Sequence, residues 1–395
     1  MTPRDQLIQQ ICAEATEWRR ELHRNPQTMY EETFASDFIA AKLTEWGIPH
    51  ERGIALTGIA ATIAGRQNNS KRAVAFRADI DALDMPDLSG QPWASQTPGK
   101  MHGCGHDGHT ATLLALARYL SQTRNFDGDV RLIFQPAEEG GRGANRMLEE
   151  GLLDRFPFDE VYGYHNFPAL PRGAFATRPG PMMAAADIFE ITLTGAGGHG
   201  AMPHITRDTV PAAAQLVLAL QTLVSRETDP MLSAVVSVTN LNAGSGAFNV
   251  IGETAKLTGT VRTFDAKLRD HLEQRIGEVA ASIAAAFRLT SAYTYGRITD
   301  PVINESESTA HCKAAAAAIA GPAAVMEMTP IMGGEDFGSF LEVRPGAFMA
   351  IGQGEDSTSP HSQGLHTPQY DFNDAILPLA AGYFAELAER RLPID

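Results

Sequence analysis

AVAFRADID, residues 73–81, reads as one buried strand: an apolar run, broken only by Arg77, that ends on two aspartates. A strand without polar alternation fits a sheet covered on both faces, and open α/β sheets build their sites at the carboxyl ends of such strands. Working outward, two amphipathic helical segments precede it, QLIQQICAEATEWRRELH and TFASDFIAAKLTEWG. After it come a helix within KMHGCGHDGHTATLLALARYL (100–120), strand-like VRLIFQ, helical GANRMLEEG and strand-like VYGYHN. The alternation predicts an α/β fold: a mixed, mostly parallel sheet with helices on both faces.

From about residue 187 the pattern changes. DIFEITLTG, PAAAQLVLALQTLVS, LSAVVSVTNL, AKLTGTVRTF, LRDHLEQRIGEVAASIAAAF and SAYTYGR read in order as strand, helix, strand, strand, helix, strand. That βαββαβ order is the ferredoxin-like unit. The first pattern then resumes with a helix, the strand GAFMAIGQG and a closing helix from Asn373 to Arg390. A discontinuous domain, 1–183 and 298–395, is therefore expected around an insert at 184–297, with RPGPMM (178–183) and TDPVIN (299–304) as hinge-like joints.

At 395 residues, two domains are the default. With 44% hydrophobic and 20% charged residues, and no apolar run near the ~18 that spans a bilayer, a soluble protein is expected. MTPRDQLIQQ has no apolar signal core, which points to the cytoplasm. A net charge of −15 speaks against nucleic acid or an anionic membrane as partner, though not against a small anionic substrate. Cys12, Cys104 and Cys312 are too few and too widely spaced for a disulfide framework. Cys12 and Cys312 fall on helices, where buried inert thiols are expected.

Cys104 has different neighbours. Cys104 and His106, one glycine apart before a helix, can face the same side while Gly103 and Gly105 free the backbone to curl round an ion. Any one histidine here reads more plainly as a cap or packing group. Several donors together reverse that reading. Asp79 and Asp81, Glu138 and Glu139, His165 and His366 all stand where predicted strands end, so they can converge. In the adjacent glutamates one carboxylate can bind metal while the other points toward substrate, as a base whose pKa is raised toward neutrality. With one of that pair, Cys104, His106, His165 and His366 make five donors, more than a single catalytic zinc uses, so two metal ions fit better. Thiolate and imidazole favour zinc, cobalt or nickel, and the set also tolerates manganese. His102 and His109 stay open, one of them a candidate to orient a ligand.

MHGCGHDGHT, QPAEEGG, YHNFP, GAGGHGAMPH, MGGEDFGSF and LHTPQYDFND, in this order, resemble the hippurate hydrolase and indole-acetyl-amino-acid hydrolase branch of the aminoacylase/carboxypeptidase metallohydrolases. The resemblance runs from RRELHRNP at Arg19 to the last helix. It implies a di-metal N-acyl-amino-acid amidohydrolase whose catalytic domain is interrupted by a lid that dimerises the chain. Carried onto this sequence, it implies Cys104, His106, Glu139, His165 and His366 as metal ligands and Glu138 as general base. It further implies Asp79 as the support of a metal histidine, His199 as a donor to the substrate carbonyl, and Asn249 and Arg262 as the grip on the substrate carboxylate. An arginine suits that last task because its planar fork binds carboxylate bidentately; an ordinary strand-edge salt bridge is the plainer alternative for Arg262.

The chain departs from the family pattern at Asp84-Met85-Pro86, at Gln27 in NPQ and at Gly252, none of them a proposed ligand. These departures bear on substrate preference. A dipeptidase on the same metals, a thiol amidase using Cys104 and a non-catalytic metal or ligand binder are the rival functions. A single-zinc nucleoside deaminase lacks its second cysteine motif. The joints further suggest closure of the lid over substrate.

Overall fold

The computed structural model describes residues 2–394, and the chain divides into two compact units. One runs to Met182 and resumes at Val302–Thr329 and from Asp336 on. The other comprises Met183–Pro301 and Pro330–Glu335. In chain order the principal strands are β1 (His50–Ile54), β2 (Gly58–Ala64), β3 (Ala73–Asp79), β4 (Asp129–Gln135), β5 (Glu160–Pro171), β6 (Phe175–Thr177), β7 (Ala185–Thr194), β8 (Ala234–Ala243), β9 (Thr254–Thr263), β10 (Thr290–Thr299), β11 (Val325–Glu327) and β12 (Gly346–Gly354).

In the first unit the sheet order is β1-β2-β4-β3-β5-β12-β6-β11. Strands β4, β3, β5 and β12 run parallel, so their carboxyl ends share one edge. All seven residues of β3 are buried, the charged Arg77 and Asp79 along with the apolar ones. Strand β5 outruns its neighbour: β3 pairs with it only as far as Gly163, and the register puts His165 level with Asp79, the last residue of β3. His165 therefore sits inside a long strand and still reaches the strand-end region.

Helices α1 (Pro3–Arg24), α2 (Thr33–Glu45) and α3 (His106–Thr123) precede or follow these strands as the amphipathic spacing predicts. Thr2 and Asp5 form a capping box at the start of α1, with Pro3 in the first turn. The buried positions of α1 (Ile8, Ile11, Cys12, Ala15, Trp18, Arg19, Leu22 and His23) follow the helical period but include two cationic side chains. α3 is buried on nearly every side, packed against α1, β3 and the helix Leu377–Arg391.

The β1–β2 hairpin has no counterpart in the sequence reading. Its connection puts Ala55 and Leu56 at φ of 52° and 70°. The left-handed region favours glycine or asparagine, and with alanine and leucine at those two positions the sequence does not advertise the turn. β1 is also mostly exposed or half-buried, without an apolar run to mark it.

In the second unit the order is β8-β9-β7-β10, antiparallel throughout. The helices Thr209–Thr222 and Ala266–Ala286 complete the βαββαβ sequence of elements. β7 alternates strictly: Phe189, Ile191 and Leu193 enter a core with Leu216, Leu272 and Ile276, while Ile188, Glu190 and Thr192 face outward. Among the described residues no helix is long and apolar enough to cross a membrane.

Phe76 of β3 is fully buried, with ring centroids 6.0 Å from Tyr162 and 4.9 Å from Phe384. Phe76→Ala is expected to destabilise the first unit by about 3–5 kcal/mol, measured by urea unfolding; a loss under about 1 kcal/mol would mean that β3 does not nucleate this core.

Candidate metal centre

Gly105 caps the amino end of α3 at φ +92°. A Cβ there would stand 2.4 Å from Asn166 Oδ1 and 2.5 Å from Tyr370 Oη, so only glycine fits. The sharp entry carries Cys104 and His106 to the edge where β3, β4 and β5 end. Cys104 Sγ lies 3.3 Å from His165 Nε2 and 3.3 Å from His366 Nε2. His366 Nε2 is 3.1 Å from Glu139 Oε1.

Two triples, Cys104–His106–His165 and Cys104–Glu139–His366, each have donor atoms within 4.8 Å of one another, and Cys104 is common to both. His106, Glu138 and Glu139 form a third such group. The five side chains named from sequence as ligands thus meet around Cys104, with Glu138 beside them. His366 is the exposed member, on a loop, with φ of 60° and a backbone N–H donated to Gly103 O at 2.9 Å.

The aspartate behind His106 is Asp81, not Asp79. His106 Nδ1 lies 2.9 Å from Asp81 O and 3.2 Å from Asp81 Oδ1. Asp81 Oδ2 also accepts the Glu139 N–H at 2.9 Å, so one carboxylate orients an imidazole and the glutamate turn together. Asp79 instead bonds His109 Nδ1 at 2.6 Å and Arg77 Nη1 at 2.8 Å, and reaches His106 Nε2 only at 3.6 Å. The sequence marked both strand-end aspartates but could not tell which would face His106, because the strand stops between them.

His109 has both ring nitrogens engaged, by Asp79 and by Asn166 Oδ1 at 2.7 Å, and so braces the middle of β5 against the end of β3. His102 is buried, and burial pushes its imidazole down to about 3. It is a neutral packing group. Cys12 and Cys312 are buried, with thiols pushed up to about 12 by burial, which makes them inert.

The electrostatics suit a cation. Burial disfavours charge on His106, yet Asp79, Asp81 and Glu139 outweigh it and push the imidazole up to about 10. Burial, with Glu139, Glu138 and Asp79, raises the Cys104 thiol. Such surplus negative potential is what a divalent ion neutralises, and the ion in turn makes a coordinating thiol a thiolate. His106 Nε2 is buried without a hydrogen-bond partner, the mark of a nitrogen placed for coordination. Thiolate, imidazole and carboxylate together fit a pair of borderline divalent ions.

In the second unit, the short pairing of Gly198–His199 with Val250–Ile251 brings His199 beside Asn249. Gly200 donates to Asn249 O at 2.7 Å, an approach that a Cβ on Gly200 would obstruct at 3.0 Å. His199 is exposed; its Nδ1 accepts the Ala201 N–H at 3.1 Å, which leaves Nε2 to carry the proton of the neutral ring. Arg269 grips Asp187 with two nitrogens at 2.9 and 2.6 Å. Arg262 on β9 differs: it is half-buried and makes no ion pair among the described residues, donating only to Val261 O at 3.0 Å and to Thr260 Oγ1. The salt-bridge alternative for Arg262 is not what the structure contains.

Below α3 lies a charged cluster that no motif announced. Arg19 and His23, one turn apart on α1 and both fully buried, point at Asp107. His23 Nδ1 is 2.8 Å from Asp107 and its Nε2 is 3.2 Å from Asp87. Burial disfavours a charge on His23, but Asp107 and the hydrogen bonds to Asp107 and Asp87 push it up to about 9. Its stabilisation, on the order of 3 kcal/mol, is complete below the ordinary value of 6.5 and fades as pH rises through about 9. Urea midpoints of the wild type and His23→Gln should therefore differ most at pH 6 and draw together above about pH 9. A gap independent of pH would refute a charged His23.

The sequence matches Peptidase family M20/M25/M40 over residues 75–390. It is 36% identical to the hippurate hydrolase of Campylobacter jejuni, over 95% of this chain and 95% of that protein. It is 40% identical to IAA-amino acid hydrolase ILR1-like 2 of Arabidopsis thaliana, over 95% of this chain and 84% of that protein. The Bacillus subtilis YXEP protein, described as a dinuclear metal binding peptidase from the M20 family, superposes with a TM-score of 0.83 at 33% identity, covering 97% of this chain and 99% of that one. A cluster of five donors shared by two groups, on a mixed α/β sheet interrupted by an antiparallel insert, accords with each of these likenesses: the chain belongs to peptidase family M20/M25/M40.

Proposed function

We propose that the chain is a metal-dependent amidohydrolase that cleaves the amide bond of N-acyl amino acids, with the first unit as catalytic domain and the second as lid. The observation that carries this is the convergence of Cys104, His106, Glu139, His165 and His366 next to Glu138. The two relatives described above carry names that share an acylated amino acid as substrate. Those five side chains would hold two divalent ions, which supply polarisation of the scissile carbonyl and acidification of water.

The remaining work falls to the chain. Glu138 takes the proton from the attacking water and delivers it to the departing nitrogen, a task for which an unligated carboxylate beside the ligands is suited. His199, with its proton on Nε2, donates to the carbonyl oxygen as negative charge develops there. Arg262, lacking any acidic partner of its own, and Asn249 take the substrate carboxylate. Asp81 holds His106 and the Glu139 backbone in register.

The same reading makes the protein a homodimer or higher homo-oligomer through its second unit, where β8 is a sheet edge with Leu241 exposed. It also places the protein in the cytoplasm, where three free cysteines stay reduced.

Glu138→Gln should lower kcat about 10²–10⁴-fold while metal content by elemental analysis stays at the wild-type value. A variant that keeps turnover would remove Glu138 from the reaction. Activity should vanish with a chelator and return with a divalent ion, and N-acyl amino acids should be cleaved in preference to unblocked dipeptides. Chelator-resistant activity destroyed by alkylation would favour Cys104 as nucleophile, and a preference for free dipeptides would favour a peptidase.

A further inference from the structure

The ligand His366 stands on a loop outside the strands, exposed and at a positive φ, with one backbone bond to Gly103. To stay within a few tenths of an ångström of coordination geometry such a side chain needs its loop anchored, and the Leu88 N–H to Pro368 O at 2.7 Å and Asn166 Nδ2 to the buried Tyr370 Oη at 2.7 Å are two of the anchors. Five residues on, Asp371 is fully buried and meets Arg19: Nη1 to Oδ1 is 3.1 Å. The same Nη1 is 3.6 Å from Asp107, the residue next to His106, while Arg19 Nε donates to Asp374 at 2.7 Å. Trp93 Nε1 donates to Asp371 Oδ1 at 3.1 Å, and Arg20 closes the outer side on Asp374 at 3.0 Å.

We propose that Arg19 is a positioning residue for the metal centre, its guanidinium locking the His366 loop, through Asp371, to the first turn of α3, through Asp107. The inference rests on the ligand set proposed above. It assigns a role to the arginine of RRELHRNP, which that ligand set leaves unused. The geometry separates two effects. His106 and His165 have further holds that do not involve Arg19, namely Asp81 and strand β5. Of the five ligands only His366 lies on the loop that Arg19 clamps. Of the two triples that share Cys104, loosening the clamp therefore disturbs Cys104–Glu139–His366 and spares Cys104–His106–His165.

Cobalt(II) titration of chelator-treated protein tests this, with calorimetric stoichiometry and the thiolate-to-cobalt absorption from Cys104 as readouts. Wild-type protein should take up two ions. Arg19→Met should bind one of them about 10- to 100-fold more weakly, the size typical when a ligand's support is removed, while the other changes less than about threefold. Asp371→Asn, which removes the charge without the volume, should show the same split, and it decides the matter if Arg19→Met fails to fold. Circular dichroism confirms the fold of each variant. Folded variants that bind both cobalt ions as the wild type does, however much less stable to urea, would overturn the clamp and leave Arg19 a purely structural residue. Wild-type protein that takes up only one ion would overturn the ligand set itself.

Discussion

The first unit is organised around buried negative charge. Asp79, Asp81, Asp107, Asp336 and Asp371 all lie out of solvent, and each carboxylate removed from water must find hydrogen bonds or a cation. Arg77 answers for two of them. Its Nη1 holds Asp79 at 2.8 Å, its Nη2 holds Asp336 at 2.9 Å and its Nε donates to Gln135 at 2.7 Å. An arginine in the middle of an otherwise apolar strand is thereby explained: it ties the ends of β3 and β4 to the 336 loop. Arg19 and His23 do the same for Asp107 and Asp371 on the far side of α3. Between these two compensated clusters remains the group around Cys104, where carboxylates outnumber fixed cations. There a proton on His106 is held tightly, and a divalent ion would be held for the same reason.

What the sequence disclosed follows from how local the signal was. β3, β4, β5 and β12 are apolar runs, and burial on both faces makes such runs readable without a partner. The parallel order then puts Asp79, Glu138 and His165 at one edge, which is why residues far apart in sequence could be grouped before any coordinates. Asp81 was hidden by a two-residue ambiguity at a strand end, where side-chain direction changes as the backbone leaves the sheet. Arg19 and His23 were hidden differently: on an amphipathic helix a cation reads as the solvent face. Only tertiary packing reveals that positions 19 and 23 belong to the buried stripe with Ala15 and Leu22. The β1–β2 hairpin was silent because its turn uses Ala55 and Leu56.

The second unit was legible for the opposite reason. Its strands alternate, with one face on the helices and one outward, and alternation marks both the strand and the buried side. In β9, Leu257 and Val261 point inward, which puts Thr258, Thr260 and Arg262 on the other face. Among the described residues the half-buried Arg262 has no carboxylate within ion-pair distance, unlike Arg269, which Asp187 and Asp300 neutralise. The second unit thus carries a structural arginine on its helix Ala266–Ala286 and, on its sheet, one that makes no ion pair among the described residues. The distinction was beyond composition, since both are arginines on amphipathic elements.

The departures from the family pattern are absorbed locally. Gln27, where glutamate is usual, keeps the acceptor that a carboxylate would offer: its Oε1 takes the Phe34 N–H at 2.5 Å and its Nε2 donates to Thr33 at 3.1 Å. Gly252 lets the backbone of Gly244 approach to where a Cβ would stand 2.9 Å away. Asp84 lies 3.6 Å from Lys100, which also pairs with Glu31 at 2.9 Å, so the altered segment is strapped down. Its Met85 rests against Gly103, where a Cβ would meet the sulfur at 2.7 Å. The strand ends and the charged clusters position the five donors, while the 84–86 segment packs beside Cys104 through Met85 and Gly103, so the departure from the family pattern lies next to the cluster and not within it.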